Sequence, residues 1–354
     1  MKERASNLEL LRIVAMLLIV LSHCSVHGIG NELPEGLVNP LSIFNYCGNL
    51  GVNLFVMITG YFMVTSKFSL GKLMKLLLQI LVCSALLYLF ECVVVQPQKE
   101  ISISDIKYAC FPVKYYKWWF ISTYVQLFLL APFLNVLLTS GNPRRIFAFI
   151  GASVMIMLYF RTHNFPLLLF LNLYALGACV RLYLPESAKL STKSCFAVAV
   201  GLLLVYTGIL YCTTTCPGVQ LGKLVRLAIT SNYSVPVLFL SLVLFVGFVK
   251  WQIPHNRLIN TVAATTLGIY LIHDCPGLRY YIWRTLLHVD ECVGKPYAFG
   301  YWFVSVAAVF IVCSVLEWSR GILFNRPIAL LVDRLVLPAV EYMQQFVKRM
   351  LKWR

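Results

Sequence analysis

Apolar runs of roughly 17–25 residues follow one another along the whole chain, each able to cross a ~30 Å hydrocarbon core as a helix. A backbone in lipid must satisfy its own N–H and C=O groups, so such a chain is restricted to a bundle of membrane-spanning helices. Of the 354 residues, 60% are hydrophobic and only 12% charged, about half the charged share of a soluble globular domain. The sequence therefore predicts an all-α polytopic membrane protein. About ten transmembrane helices are expected, near residues 8–27, 42–63, 73–95, 118–138, 146–160, 165–184, 195–212, 233–250, 258–274 and 297–319.

An even number of spans puts both termini on one side. With that side cytoplasmic, about two thirds of the Lys and Arg residues fall inside, as the positive-inside bias requires. Lys2/Arg4, Lys67/Lys72/Lys75, Arg144/Arg145, Arg181/Lys189/Lys193 and the C-terminal tail lie inside, whereas the first outer loop, 31–36, has no basic residue. The loop 96–117 runs against the bias, with Lys99, Lys107, Lys114 and Lys117 outside. The net charge of +16 reflects this asymmetry and an affinity for anionic membrane lipids. It is not a nucleic-acid signature, because the basic residues are scattered between spans. No small-residue cleavage site follows the first apolar run, so that run reads as a retained helix and not a signal peptide.

The chain divides into a transmembrane domain, 1–325, and a basic tail, 326–354. The tail pattern suits amphipathic helices lying on the cytoplasmic surface, interrupted at Pro338. Most of the twelve cysteines fall in or at spans, where Cys behaves as a small hydrophobe. Cys110, Cys216, Cys275 and Cys292 lie near the outer face, where pairing is open to them. No CxxC or Cys/His metal spacing occurs, and no metal is expected.

Against this background the first span carries two residues that are expensive at membrane depth, Arg12 and His23. Their eleven-residue spacing is about three helical turns, which sets them on nearly one face roughly 16 Å apart along the axis. Ser22 adjoins His23, and His27 lies one turn beyond. Arg12 has a structural alternative, since Glu9 is three residues earlier on the same side; otherwise its fork of donors suits a phosphate. Lys72 and Lys75 open the third span, where they either follow the inside bias or bind phosphate. Thr59 and Gly60 permit close helix approach. Trp118, Trp119 and Tyr124 form either an interfacial aromatic belt or a stacking surface for sugar rings. His273 ends the ninth span in the same layer as His23. It could bind an acceptor hydroxyl or cap its helix. Adjacent His273 and Asp274 do not face each other along a helix.

Taken together, these segments resemble the acyltransferase 3 family, integral-membrane enzymes that O-acylate surface glycans. Arg12 to His23 resembles that family's first-helix motif, and Leu54-Phe-Val-Met-Ile-Thr-Gly-Tyr61 its second helix. Trp118-Trp-Phe, Tyr124, Pro132-Phe-Leu-Asn135 and Leu267-Gly-Ile-Tyr-Leu-Ile-His273 are similar to its later landmarks, in order, over about 6–320. Many relatives carry arginines where this chain has Lys72 and Lys75, and some carry an extra hydrolase-like domain that is not expected here.

The resemblance implies acyl-CoA, most simply acetyl-CoA, as the co-substrate. Arg12, Lys72 and Lys75 would bind it, and His23 would act as catalytic base with Arg12. Trp118, Trp119, Tyr124 and His273 would meet the acceptor, a surface polysaccharide or lipid-linked glycan reached at the outer face of the plasma membrane. A covalent acyl-enzyme relay is an alternative route. The rival class is a transporter or flippase of a glycan or lipid-linked sugar, against which no inverted repeat is found. A non-enzymatic sensor or scaffold is the third possibility.

Overall fold

The computed structural model describes residues 5–30, 39–98, 100–160, 166–184, 191–215, 220–230 and 234–352. Lys2, Arg4, the loop 31–36, Lys99, Lys189, Cys216 and Arg354 lie outside them. The described residues are all-helical, 84% helix without strands. In order the helices are α1 (Ser6–His23), α2 (Tyr46–Met63), α3 (Leu70–Phe90), α4 (Ile103–Cys110) and α5 (Trp119–Ser140). They continue as α6 (Pro143–Phe160), α7 (Pro166–Tyr183), α8 (Thr192–Thr215), α9 (Gln220–Thr230) and α10 (Val235–Lys250). The last four are α11 (Arg257–Ala264), α12 (Thr266–His273), α13 (Ala298–Leu331) and α14 (Leu337–Lys352).

Among the described residues, seven of the expected spans are helices long and apolar enough to cross a membrane: Ser6–Ile29, Pro40–Met63, Leu70–Val95, Trp119–Ser140, Pro166–Tyr183, Thr192–Thr213 and the helix beginning at Ala298. The other three depart from a plain span. The fifth, α6, carries Arg144 and Arg145 in its first turn. The eighth, α10, is apolar but has only 16 residues. The ninth is broken at Thr265 into α11 and α12, eight residues each. At the break the Thr265 hydroxyl donates to Val262 O at 2.8 Å and meets Ser314 Oγ of α13 at 2.7 Å. Irregular backbone at membrane depth is tolerated where protein covers it.

The apolar interior has two centres, and α1 belongs to both. Leu8, Leu11 and Ala15 join a core with α2, α5, α7, α8 and α10. Met16, Ile19, Val20 and Cys24 join a second core with α12, α13 and the segment 275–292. The first core rests on a very close crossing of α2 and α7. A Cβ on Gly60 would collide with the Tyr174 backbone, and one on Gly177 with the Met57 backbone, so two glycines on opposite helices admit each other's main chain. Asn135 of α5 locks this crossing by donating to Met63 O at 2.9 Å and accepting from the Tyr174 hydroxyl at 2.6 Å.

Two features of the expected charge map acquire local reasons. Lys117, one of the lysines that fitted the outer loop poorly, is 6% exposed. It donates to Ser84 Oγ at 3.0 Å and lies 5.0 Å over the Trp118 ring. Burial pushes its ammonium below the ordinary lysine range, so it acts as an internal tether. The tail is continuous with the last span: α13 runs through residue 326 and Pro327, a π-helical turn spans Val332–Val336, and Pro338 sits in the first turn of α14. Pro338 has no N–H to bond back into the preceding turn, and the wider π-helical turn lies just before it. Cys110, Cys275 and Cys292 are free thiols.

The α2–α7 crossing is expected to be the least tolerant part of the fold. Gly60→Val or Gly177→Val should cost about 1–3 kcal/mol or more through overpacking. Each should abolish the monodisperse peak in detergent size-exclusion chromatography. Gly151→Val, where nothing lies within 4 Å, should leave the elution profile unchanged. A normal profile for Gly60→Val would contradict the crossing.

Candidate active site

At its far end α1 winds on into a π-helical turn, Cys24–Ile29, closed by Gly30 at φ +72°. That turn carries His27 beside His23, with ring centroids 5.1 Å apart. Asn39 holds it by donating to Ser25 O and Gly30 O, each at 3.0 Å. The segment 275–292 straps over it. Trp283 is fully buried, Arg284 Nε donates to Gly28 O at 2.9 Å, and a Cβ on Gly28 would lie 2.5 Å from Val289. Glycine at 28 is thus what lets the strap close on the turn.

Beyond the break at Thr265, α12 ends against His23. His23 Nδ1 lies 2.9 Å from His273 Nε2, and His273 Nδ1 lies 2.6 Å from Ile269 O. A carbonyl oxygen only accepts, so His273 Nδ1 carries the hydrogen and its Nε2 is bare. That nitrogen accepts from His23 Nδ1–H, which leaves the lone pair of His23 on Nε2. The tautomers follow from this chain of donors and acceptors.

Asp274 completes the cluster. Its Oδ1 lies 3.3 Å from His27 Nε2, 3.7 Å from His23 Nδ1 and 3.9 Å from Arg279 Nη1. The aspartate therefore serves His27 and His23 across the bundle, and not its neighbour His273. His23, His27 and Asp274 each offer a ligand atom within 4.8 Å of the others, which a cation could use.

His23 and His27 line a cavity of about 590 Å³ that runs down α1 to Arg12. One space thus joins the imidazole to the guanidinium, as their shared helix face requires. Arg12 Nη1 contacts both carboxylate oxygens of Glu9 at 3.2 Å, and its guanidinium lies 5.9 Å from the Phe62 ring. The Arg12 side chain remains 30% exposed, against 6% for Glu9, so the cation is partnered and still open to the cavity.

The aromatic trio divides. Trp119 and Tyr124 are on the cavity wall, with Tyr124 stacked on Phe120 at 6.1 Å. Trp118 is buried in the second core, at 2% exposure. His273 is fully buried behind His23 and is not on the wall. Lys72 and Lys75 are also off the wall, although Leu76 beside them lines it. Lys75 Nζ instead lies 3.0 Å from Asp333. His27, Asp274 and Tyr270 join the site without having been singled out for it. His27 was signalled by its one-turn spacing from His23, whereas nothing local marked Asp274 as its partner.

A family model described as an acyltransferase domain matches residues 6–318. No curated protein and no solved structure gave a significant match.

The split between neighbouring tryptophans is open to direct measurement. With the exposed Cys110 and Cys212 replaced by Ser, Trp119→Cys should react with a small water-soluble maleimide. Trp118→Cys should stay unlabelled until the protein is denatured. Equal labelling of the two would contradict the placement of Trp119 on the cavity wall and of Trp118 in the core.

Proposed function

The chain belongs to the acyltransferase 3 family, and from that premise we propose a membrane-embedded O-acyltransferase. It takes an acyl group, most simply acetyl, from acyl-CoA on the side of the chain's N terminus, which is cytoplasmic. It delivers the group to a hydroxyl of an extracytoplasmic or lipid-linked polysaccharide across the plasma membrane. One observation carries the reading: a single cavity holds Arg12 at one end and His23, with its lone pair on Nε2, at the other.

The chemistry follows from those atoms. Arg12 holds a phosphate of CoA by charge and hydrogen bonds, and the pantetheine arm extends along α1 to bring the thioester to His23. Lys72, one turn before Leu76, adds positive charge near that entrance. Lys75 contributes only by exchanging its contact with Asp333. The acceptor sugar stacks on Trp119 and Tyr124.

The acceptor oxygen attacks the thioester carbonyl as His23 Nε2 takes its proton. The tetrahedral intermediate collapses by breaking the C–S bond, and the imidazolium returns the proton to the departing thiolate. The products are the O-acyl ester and CoA thiol. His273 and Asp274 act on His23 as positioning residues: His273 fixes its tautomer, and the Asp274 carboxylate stabilises the transient positive charge.

A second reading rests on the ligand spacing of His23, His27 and Asp274, which suits a divalent cation that polarises the acceptor hydroxyl. The base reading expects metal analysis of the purified protein to find no stoichiometric ion. It also expects chelation by EDTA to leave turnover unchanged.

His23→Ala should reduce acyl transfer at least ~10²-fold at unchanged membrane abundance, and Asp274→Asn should give a smaller loss. The assay is mass spectrometry of surface glycan before and after mild alkali. Persistence of the alkali-labile acyl mass in His23→Ala cells would overturn the base assignment. Unmodified glycan with altered sidedness would favour a transporter. Arg12→Lys should raise KM for acyl-CoA with little change in kcat. If Glu9→Gln alone reproduces that rise, Arg12 serves the ion pair and not the donor.

A further inference from the structure

A second cleft, of about 510 Å³, lies on the other side of α12, between α3, α12, the turn Tyr281–Leu286 and α13. Its wall is almost wholly apolar. Leu86, Phe90, Val312 and Leu316 line it while remaining 41%, 44%, 55% and 51% exposed, so it opens sideways toward the membrane.

One end of this cleft is built differently. Arg320 is 7% exposed and forms a two-pronged pair with Glu317, Nε to Oε2 at 2.7 Å and Nη2 to Oε1 at 2.8 Å. Nη2 also donates to Asn325 Oδ1 at 3.0 Å, and Gln79 Nε2 of α3 donates to Glu317 Oε1 at 2.9 Å. The remaining nitrogen, Nη1, is buried with no hydrogen-bond partner among the described residues. A buried guanidinium N–H in that state calls for an acceptor oxygen. The pair accounts for Glu317 and for two of the three nitrogens, and a plain hydrocarbon would leave the third unsatisfied.

Position identifies the kind of molecule. From Ala308 to Arg320 the cleft follows α13 for twelve residues, about 18 Å, close to half of a ~30 Å hydrocarbon core. That is the depth of one leaflet. Gln79, which touches Glu317, lies one turn along α3 from Lys75. The polar end therefore belongs to the membrane side on which α1 begins and Lys75 meets Asp333. On that side the pairs Lys75–Asp333 and Arg320–Glu317 are each neutral, while Lys72, Arg326 and Arg334 on the same three elements add positive charge. An oxygen acceptor with negative charge at the polar end and a leaflet-long apolar chain along the wall describe a lipid.

We propose that this cleft binds one anionic phospholipid from the leaflet on the N-terminal side. One acyl chain lies between α3 and α13, and a phosphate or ester oxygen accepts from Arg320 Nη1. The site is independent of the acyl-transfer chemistry, yet it bears on the same helix. A Cβ on Gly268 of α12 would collide with the Glu317 carboxylate, and α12 ends five residues later at His273. Lipid that steadies the Glu317–Arg320 pair also steadies the helix that positions His23.

Native mass spectrometry of the full chain, purified in detergent with an equimolar mixture of phosphatidylglycerol and phosphatidylcholine, tests this directly. The wild type should retain one phosphatidylglycerol. Val312→Trp, which fills the cleft from its membrane side, should lower retention at least tenfold. Arg320→Lys, which keeps the charge but loses the Nη1 donor, should lower retention of phosphatidylglycerol several-fold. Retention by Val312→Trp equal to wild type would overturn the site. Equal retention of the two lipids by the wild type would overturn the anionic headgroup. A dimer that Val312→Trp dissociates, without bound lipid, would make the occupant a second copy of the chain. Lipid retention is read without any acyl-transfer assay, so a failure of the catalytic proposal leaves this outcome unchanged.

Discussion

The carbonyl oxygen of Ile269 can only accept a hydrogen bond, and the arrangement of the catalytic end follows from that. It holds the hydrogen of His273 on Nδ1, which makes His273 an acceptor for His23 and leaves the His23 lone pair on Nε2. The Ile269 carbonyl has this role because α12 stops at His273, within one turn of it, and α12 has its length because Thr265 breaks the preceding helix. Ending there, α12 brings His273 to 2.9 Å from His23 and Asp274 to 3.3 Å from His27. The interruption that weakens this segment as a membrane span is thus the feature that brings the cluster together.

How much of this is legible in sequence depends on the range of each interaction. The shared face of Arg12 and His23 is a property of one helix, so arithmetic on an eleven-residue spacing recovers it, and the cavity along α1 runs between the two. Gly60 was readable for the same local reason, because a small residue in a span permits close approach, and it meets the Tyr174 backbone. Asp274 was not readable. Its histidine partners lie about 250 residues away in sequence, and its neighbour His273 drew attention to a dyad that helical geometry forbids.

The aromatic run shows the limit at its sharpest. Trp118 and Trp119 are chemically equivalent, but successive residues at a helix start point in different directions. One is buried in the core while the other lines the cavity. Mean hydropathy similarly registered a ninth span without seeing that it divides at Thr265, because an average over a window is blind to a one-residue interruption. Lys117 looked like a violation of the charge rule for a related reason. The rule concerns exposed loop charge, and this ammonium is internal, held by Ser84 and two aromatic rings.

The short length of α12 has a final mechanical consequence. An eight-residue helix has too few internal hydrogen bonds to be stable by itself, so its position is set by what grips it. Apolar packing from Ile269 and Leu271 supplies bulk attraction but no unique register, since hydrophobic contact is non-directional. Register comes from directional contacts at the two ends and the middle. Thr265 is bonded to Ser314, Gly268 is pressed on the Glu317 carboxylate, and His273 is bonded to His23. Two of the three partners are on α13 and one is on α1, so α12 is suspended between the helix that carries the base and the helix that faces the second cleft. The Glu317 carboxylate thus bears on α12 only five residues, about one and a half turns, from the imidazole that holds His23.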